Sequence, residues 1–518
     1  MIIEYVMSAT GHARIGAAHK LMNVVDTKYL RDVLDAAQDM DGVHKISMLY
    51  NAYTEKKVGI QINELFGDSV YKVHVDSGGL QIVNLGLENT PELRQAVYEN
   101  QAASGDIGMC FDEIPLHNEA KGGGSARINT KDKVFMYDLA FEYGRKTGQN
   151  IRAQIETYIA TKSECKPYII LQGNSDDDFI AFSDGIMSEL NGLEDYIAGC
   201  AAADTCIGNG VRESIDMMSV IRKLNIPEKA KKSVHLLGVG SVKRLLPAVA
   251  LVRSGYFGED FHMSYDSSTH TGCLTNREYT DKLGRRKKIS GHGIMRNGIK
   301  QPSRELDEML DEVWGRFGHV LPRSKVEFKE FATRLWLKDL DKETMTDDDI
   351  VFEVACNLCI ILSQVNNFQS IISETFDLNT PKAVDLSAFF GNAVEAKESQ
   401  EGFKKWSAIR RLDVLDKLLD IDTVEGYNRW HTSYVDRLPS MRIRRGLTTD
   451  FPAFKVAEKD VVEDVVEDVV EDVVEDVDAI KYKLKLKILE FKQLHGSNMV
   501  EKKATVLAEI NELKAKLG

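Results

Sequence analysis

The chain has 518 residues, enough for one large domain with appendages or for two to three domains. With 43% hydrophobic and 28% charged residues, it has a soluble globular composition, and no apolar run approaches the ~20 residues of a membrane span. The net charge of −14 opposes a nucleic-acid partner unless basic residues are locally concentrated, and the seven irregularly spaced cysteines point to reduced thiols rather than a disulfide framework.

The elements are read in chain order. MIIEYVM and HKISMLYNA are two short β-type runs near the start, and VYKVHVD is a third, ending in Asp76, Ser77, Gly78 and Gly79. GDIGMCFDE (105–113) precedes a helical pattern with Asn129 or Thr130 as N-cap. KPYIILQGN (166–174) leads into a helix with an acidic first turn. DYIAGCAA (195–202), SVHLLGVG (233–240) and DFHMSYDSST (260–269) complete eight strands. Near-continuous apolar strands alternating with amphipathic helices predict a parallel sheet covered by helices. Eight units favour an α/β (β/α)8 TIM-type barrel over an open sheet.

After Asp266 the alternation stops. Residues 272–345 are polar, basic and poor in strand patterning, and read as an insertion before a buried closing helix at 352–376. The barrel is expected over residues 1–395 and a helical extension over 396–457. VVED repeats four times from Val461 to Asp476, so 458–478 reads as a flexible acidic spacer. Residues 479–518 read as a helical hairpin for docking or self-association. The segment 458–518 carries 15 acidic and 10 basic side chains, so part of the negative charge is segregated there. Basic residues cluster at Arg285, Arg286, Lys287 and Lys288, and a solvated face is the plain explanation of such a run.

Five strand ends carry groups suited to recognition or catalysis: Asp76, Asp112, Gln172 with Gly173, the turn Gly238–Gly240, and Asp266. A lone strand-terminal Asp is usually a helix cap or turn former. A barrel brings all its strand ends to one rim, which weakens that explanation for five together. GVGSVK lacks the third glycine of a dinucleotide fingerprint, and Gly122–Gly124 lacks the ending of a P-loop. Cys356 and Cys359 form a CxxC inside an apolar stretch with no second pair nearby. Carboxylates and an amide remain, with no thiol or imidazole nucleophile in evidence.

DSGGLQ, FDEIP, LQGN, YIAGCA, LLGVG and SYDSS occur in the order of the motifs of the tRNA-guanine transglycosylase superfamily, and the chain resembles that superfamily over about residues 70–270. The resemblance implies a (β/α)8 barrel and a pentosyltransferase that exchanges guanine through a covalent aspartyl-glycosyl intermediate. It implies Asp266 as nucleophile and Asp76 as general acid/base, with Ser77 and Gly78 beside it. Asp112, Gln172 and Gly173 would read the base, Gly199, Cys200 and Ala201 would give main-chain contacts at a turn, and Leu237 with Gly238 would form the pocket wall. The tRNA enzymes carry a zinc site of three cysteines and a histidine. Residues 272–345 contain only Cys273, and Cys356 stands where the ligand histidine is expected, a weak metal candidate. No cofactor is therefore expected.

The lost zinc site and the basic insertion resemble the DpdA-type transglycosylases, which place 7-deazaguanines in the DNA of bacteria and phages. The expected partners are DNA and a 7-deazaguanine base such as 7-cyano-7-deazaguanine, with Arg285–Lys288 along the nucleic-acid backbone. The alternatives are a tRNA-modifying transglycosylase and, from another class, a non-catalytic nucleic-acid-binding subunit. A cytoplasmic location, no membrane association and a homo-oligomer, common in this superfamily, complete the expectations.

Overall fold

The computed structural model describes residues 2–375 except 9–12, 41–44, 56, 80–81, 83–88, 115–136, 174–175, 203–217, 219, 241–244, 246–247, 250–251, 253–256, 258–259, 282–285, 290–294, 297–298 and 301. All described residues belong to the first of two units, Met1–Val456, and the second, Ala457–Gly518, lies outside them. The helical extension at 396–457, the acidic spacer, the terminal hairpin, Gly122–Gly124, the N-cap at Asn129 or Thr130, and Arg285 also lie outside the described residues.

Eight strands form a closed parallel barrel in chain order: β1 (Ile2–Ser8), β2 (Lys45–Asn51), β3 (Val73–Asp76), β4 (Ile107–Met109), β5 (Lys166–Leu171), β6 (Gly199–Ala202), β7 (Ser233–Leu236) and β8 (His262–Asp266). β1 pairs with both β2 and β8, which closes the cylinder and leaves no open edge. Helices α1 (Ile15–Leu21), α2 (Tyr29–Gln38), α3 (Val58–Phe66), α4 (Pro91–Ser104), α5 (Tyr137–Thr161), α6 (Asp176–Leu190) and α7 (Glu228–Lys231) lie between strands. The expected (β/α)8 barrel is present, and all eight strand readings fall on strands.

Local sequence explains the covering layer. On α2, Leu30, Val33, Leu34 and Ala37 recur at helical spacing and are buried while the other face stays wet. Each of the leucines and the valine contributes roughly 1.5–3 kcal/mol on leaving water. α4 starts at the Thr90 cap, whose hydroxyl accepts from Leu93 N–H, with Pro91 as its first residue. Helices α5 and α6 meet through glycine: a Cβ at Gly144 would lie 2.1 Å from the Phe182 carbonyl oxygen, and one at Gly185 would lie 2.2 Å from that of Phe141. This contact clamps together the strand–helix units that carry Asp112 and Gln172.

Residues after β8 are more ordered than their polar composition suggests. Two short helices, α8 (Ser268–Thr271) and α9 (Cys273–Asn276), lead to the antiparallel pair β9 (Glu278–Thr280) and β10 (Arg286–Lys288). A second pair, β11 (Met295–Arg296) and β12 (Ile299–Lys300), precedes α10 (Arg304–Phe317) and α11 (Lys325–Leu337). Both helices begin at serine caps, Ser303 and Ser324, the latter in a full capping box with Glu327. The closing helix α12 (Asp347–Thr375) is buried nearly all round from Val351 to Phe368 and packs on α1 and α2. Among the described residues, no helix is long and apolar enough to cross a membrane.

Candidate active site at the carboxyl rim of the barrel

Because every strand runs the same way, Asn51, Asp76, Gln172, Leu237 and Asp266 stand at or just beyond strand ends on one rim. Asp76 is the last residue of β3, opposite Asn51 in register. The Asn51 amide is fixed from behind, since its Oδ1 accepts from the N–H groups of Tyr53 (3.0 Å) and Thr54 (3.2 Å). Its Nδ2 therefore points to Asp76, donating to Oδ2 at 3.2 Å. Gly78 turns the chain away with φ of +82°, and a Cβ there would meet the Cβ of Tyr53 at 2.6 Å, so only glycine fits. Burial pushes the Asp76 carboxyl up to about 6, against the N–H groups of Gly78 and Ser77, which favour its charge, and the nearby Asp266 carboxylate pushes it further.

Asp266 ends β8 in different surroundings. Its Oδ1 accepts from Gly238 N–H at 2.9 Å and lies 3.3 Å from His235 Nε2, while His235 Nδ1 lies 2.8 Å from the Ser264 hydroxyl. Gly238 has φ of +67°, which aims its N–H at the carboxylate. Gly240 packs so closely on the segment after Asp266 that a Cβ would lie 2.1 Å from Ser267 Oγ. The turn after β7 thus donates to Asp266 and packs against the residue that follows it.

Asp112 and Gln172 form the third part. Gln172 Nε2 donates to Asp112 Oδ2 at 2.7 Å, and the two residues are only 7% and 2% exposed. The segment carrying Asp112 is tied to α5, where Asn150 Nδ2 donates to the Phe111 carbonyl at 3.0 Å and Thr147 accepts from Glu113 N–H at 2.9 Å. A Cβ on Gly79 would lie 3.2 Å from Asp112 Oδ1, so this polar pair adjoins the loop of Asp76. Gly173 packs on the Phe179 ring, where a Cβ would meet Cγ at 2.7 Å. Ser77 is buried beside Asp76, and Leu237 is partly buried against the core just past β7.

The expected turn at Gly199, Cys200 and Ala201 is not where the resemblance puts it. All three lie within β6, which Gly199 opens and Ala202 ends. Gly199 is held there by the Tyr168 ring, 2.4 Å from where its Cβ would be. All four residues of β6 are buried, and their small size fits the crowded barrel strand. Arg286 and Lys287 are on β10, where they pair with Glu278 and, at 2.9 Å, with Asp281; Lys288 is exposed on the same strand.

Cys356 and Cys359 are buried thiols within α12, and burial pushes both thiols up from their ordinary range. Among the described residues no group of three or more His, Cys, Asp or Glu side chains is placed to hold a metal ion.

The barrel interior holds polar residues that sequence reasoning passed over. Glu4, fully buried, lies 2.7 Å from both His74 Nε2 and His262 Nε2. Burial alone would raise its carboxyl, but the two histidines hold it well below its ordinary value. His74 is pushed down by burial despite Glu4, and its ring centroid stands 5.5 Å from that of His235. The signal was available in the period of two: His74 and Asp76, like Ser264 and Asp266, share one strand face. Compared with known proteins, the chain matches no family model and no curated protein.

Proposed function

We propose that this protein is a guanine transglycosylase that replaces guanine in DNA with a 7-deazaguanine derivative through a covalent glycosyl ester on Asp266. One observation carries the reading. Two carboxylates on one rim stand in contrasting surroundings, Asp76 raised to about 6 and Asp266 oriented by two N–H groups, next to a buried Asp112–Gln172 pair. Carboxylates separated in this way divide proton transfer from nucleophilic attack.

In the proposed reaction, Asp266 attacks C1′ of the target nucleotide as the bond from C1′ to N9 breaks. The bonding pair leaves with guanine, and Asp76 supplies its proton. The incoming base then loses a proton to Asp76 and attacks C1′, and the ester bond pair returns to Asp266. Two inversions give net retention. An aspartate and a glutamine satisfy the donors and acceptor of a guanine-like edge, and a base lacking those groups would leave them unpaired. Reaching C1′ and the base in duplex DNA requires flipping the nucleotide, at a few kcal/mol.

The preference for DNA over tRNA rests on the single cysteine between β8 and α12 and on the buried state of Cys356. The test is incubation of the protein with labelled 7-cyano-7-deazaguanine and either DNA or tRNA. Label in DNA, with a covalent protein–DNA adduct, is expected. Label in tRNA alone would replace the substrate, and label in neither would remove the activity.

A further inference from the structure

We infer that His235 is a positioning residue for Asp266: its Nε2–H and the Gly238 N–H hold Oδ1 as the spectator oxygen, leaving Oδ2 to form the bond to C1′. The inference rests on the transglycosylase reading and goes beyond the superfamily motifs, none of which includes this histidine.

The hydrogen-bond geometry sets the tautomer. An ionised carboxylate only accepts, so the ring nitrogen facing Asp266 must carry the proton. In the neutral ring Nδ1 then accepts, and the Ser264 hydroxyl at 2.8 Å is its donor. Ser264 and Asp266 are on one face of β8, with His235 bridging them from β7, so the register of the two strands builds the device. Asp266 Oδ1 takes both donors, and Oδ2 accepts no hydrogen bond among the described residues.

Chemistry follows from that asymmetry. When Oδ2 bonds to C1′, Oδ1 becomes the ester carbonyl oxygen and stays in contact with two donors. When the ester breaks, negative charge returns to a carboxylate already solvated by fixed N–H groups, which lowers the barrier to departure. The balance is unchanged from the proposed reaction: His235 neither gains nor loses a proton. A buried histidine with a purely structural role looks different in this same barrel. His270, four residues beyond Asp266, is equally buried, but neither of its nitrogens meets a hydrogen-bond partner among the described residues, and its ring packs edge-on against Tyr5 and Phe368.

The test combines spectroscopy with amide replacements. Ring 15N shifts of the wild-type protein should show His235 with its proton on Nε2, and a ring protonated on Nδ1 alone would overturn the inference without any variant having to fold. His235→Gln puts an amide N–H near the Nε2 position, whereas His235→Asn puts it near Nδ1, and His235→Phe has no donor. In variants with a wild-type circular dichroism spectrum, covalent adduct formation should slow about 10- to 100-fold in the Asn and Phe forms with KM for nucleic acid unchanged. The Gln form should recover much of that rate. Equal rates in all three variants and the wild type would overturn the positioning role alone. A wild-type protein that makes no adduct with DNA or tRNA would overturn the transglycosylase reading, and this role with it.

Discussion

Asp76 and Asp266 end two strands of one barrel, close enough for the charge of one to act on the other. Asp76 lies before a glycine with positive φ, and its carboxylate is met by the Asn51 amide and by the N–H groups of Ser77 and Gly78. Asp266 instead faces a turn that aims a backbone N–H at it, and a histidine stands behind the same oxygen. The comparison teaches that residue type does not assign a catalytic role. In the proposed reaction the first environment suits a proton carrier near neutrality, and the second orients a carboxylate for attack.

The largest expected effect lies on the Asp266 side. Asp266→Ala should abolish the covalent adduct and lower base exchange by at least about 10³-fold. Denaturing gel electrophoresis with labelled nucleic acid reads the adduct directly. An adduct that survives would remove the distinction between the two acids.

Asp76 should act with opposite sign in the two half-reactions. Departure of guanine uses its protonated form, so single-turnover adduct formation should fall as pH rises through about 6. Attack by the incoming base uses its ionised form, so discharge of a preformed adduct should rise through the same pH. Asp76→Asn should flatten both profiles and slow each step by about 10²–10⁴-fold. Rapid-quench measurements from pH 5 to 8 check this, and parallel slopes would contradict the assignment.

A smaller effect appears in stability. Asp76 has its carboxyl raised from 3.8 to about 6 on folding, so its stabilising contribution is complete below about pH 4 and lost as pH rises through 6. Asp76→Asn should therefore unfold at higher urea concentration than wild type at pH 8, by about 1–3 kcal/mol, with the gain vanishing near pH 4. A gain independent of pH would mean that the acid is not confined as its surroundings imply.

The contrast itself was only half legible in the sequence. The acids at the two strand ends could be read because Asp76–Gly79 and Asp266–Ser268 break apolar runs abruptly, and eight such runs imply a barrel. The partners were not read. Asn51, His74, His235 and Ser264 interrupt strands as polar residues, and only strand register shows that they face inward together. Gly199–Ala201 went the other way: their run reads as a strand, the resemblance implies a turn, and they lie in β6 with the Tyr168 ring packed over Gly199. The helices of 304–317 and 325–337 were missed despite clear signals, since Ser303 and Ser324 are caps and Leu306, Met309, Leu310, Val313 and Phe317 keep helical spacing.

The smallest expected effect concerns the coupling between the two acids. Burial is the main reason the Asp76 carboxyl is raised, and the Asp266 charge is a lesser one acting in the same direction. Asp266→Asn removes that charge while keeping the side chain's shape, so Asp76 should titrate at lower pH than in wild type, yet still above 3.8. Carboxyl 13C titration reads this in a variant that has no turnover. In the proposed reaction the same loss of charge would accompany esterification of Asp266, and would strengthen Asp76 as an acid just when the departing base needs its proton. The proposed intermediate would also leave Asp76 more readily ionised for the incoming base. An unchanged titration in Asp266→Asn would show that the two acids act independently and would confine the proton-transfer role to burial alone.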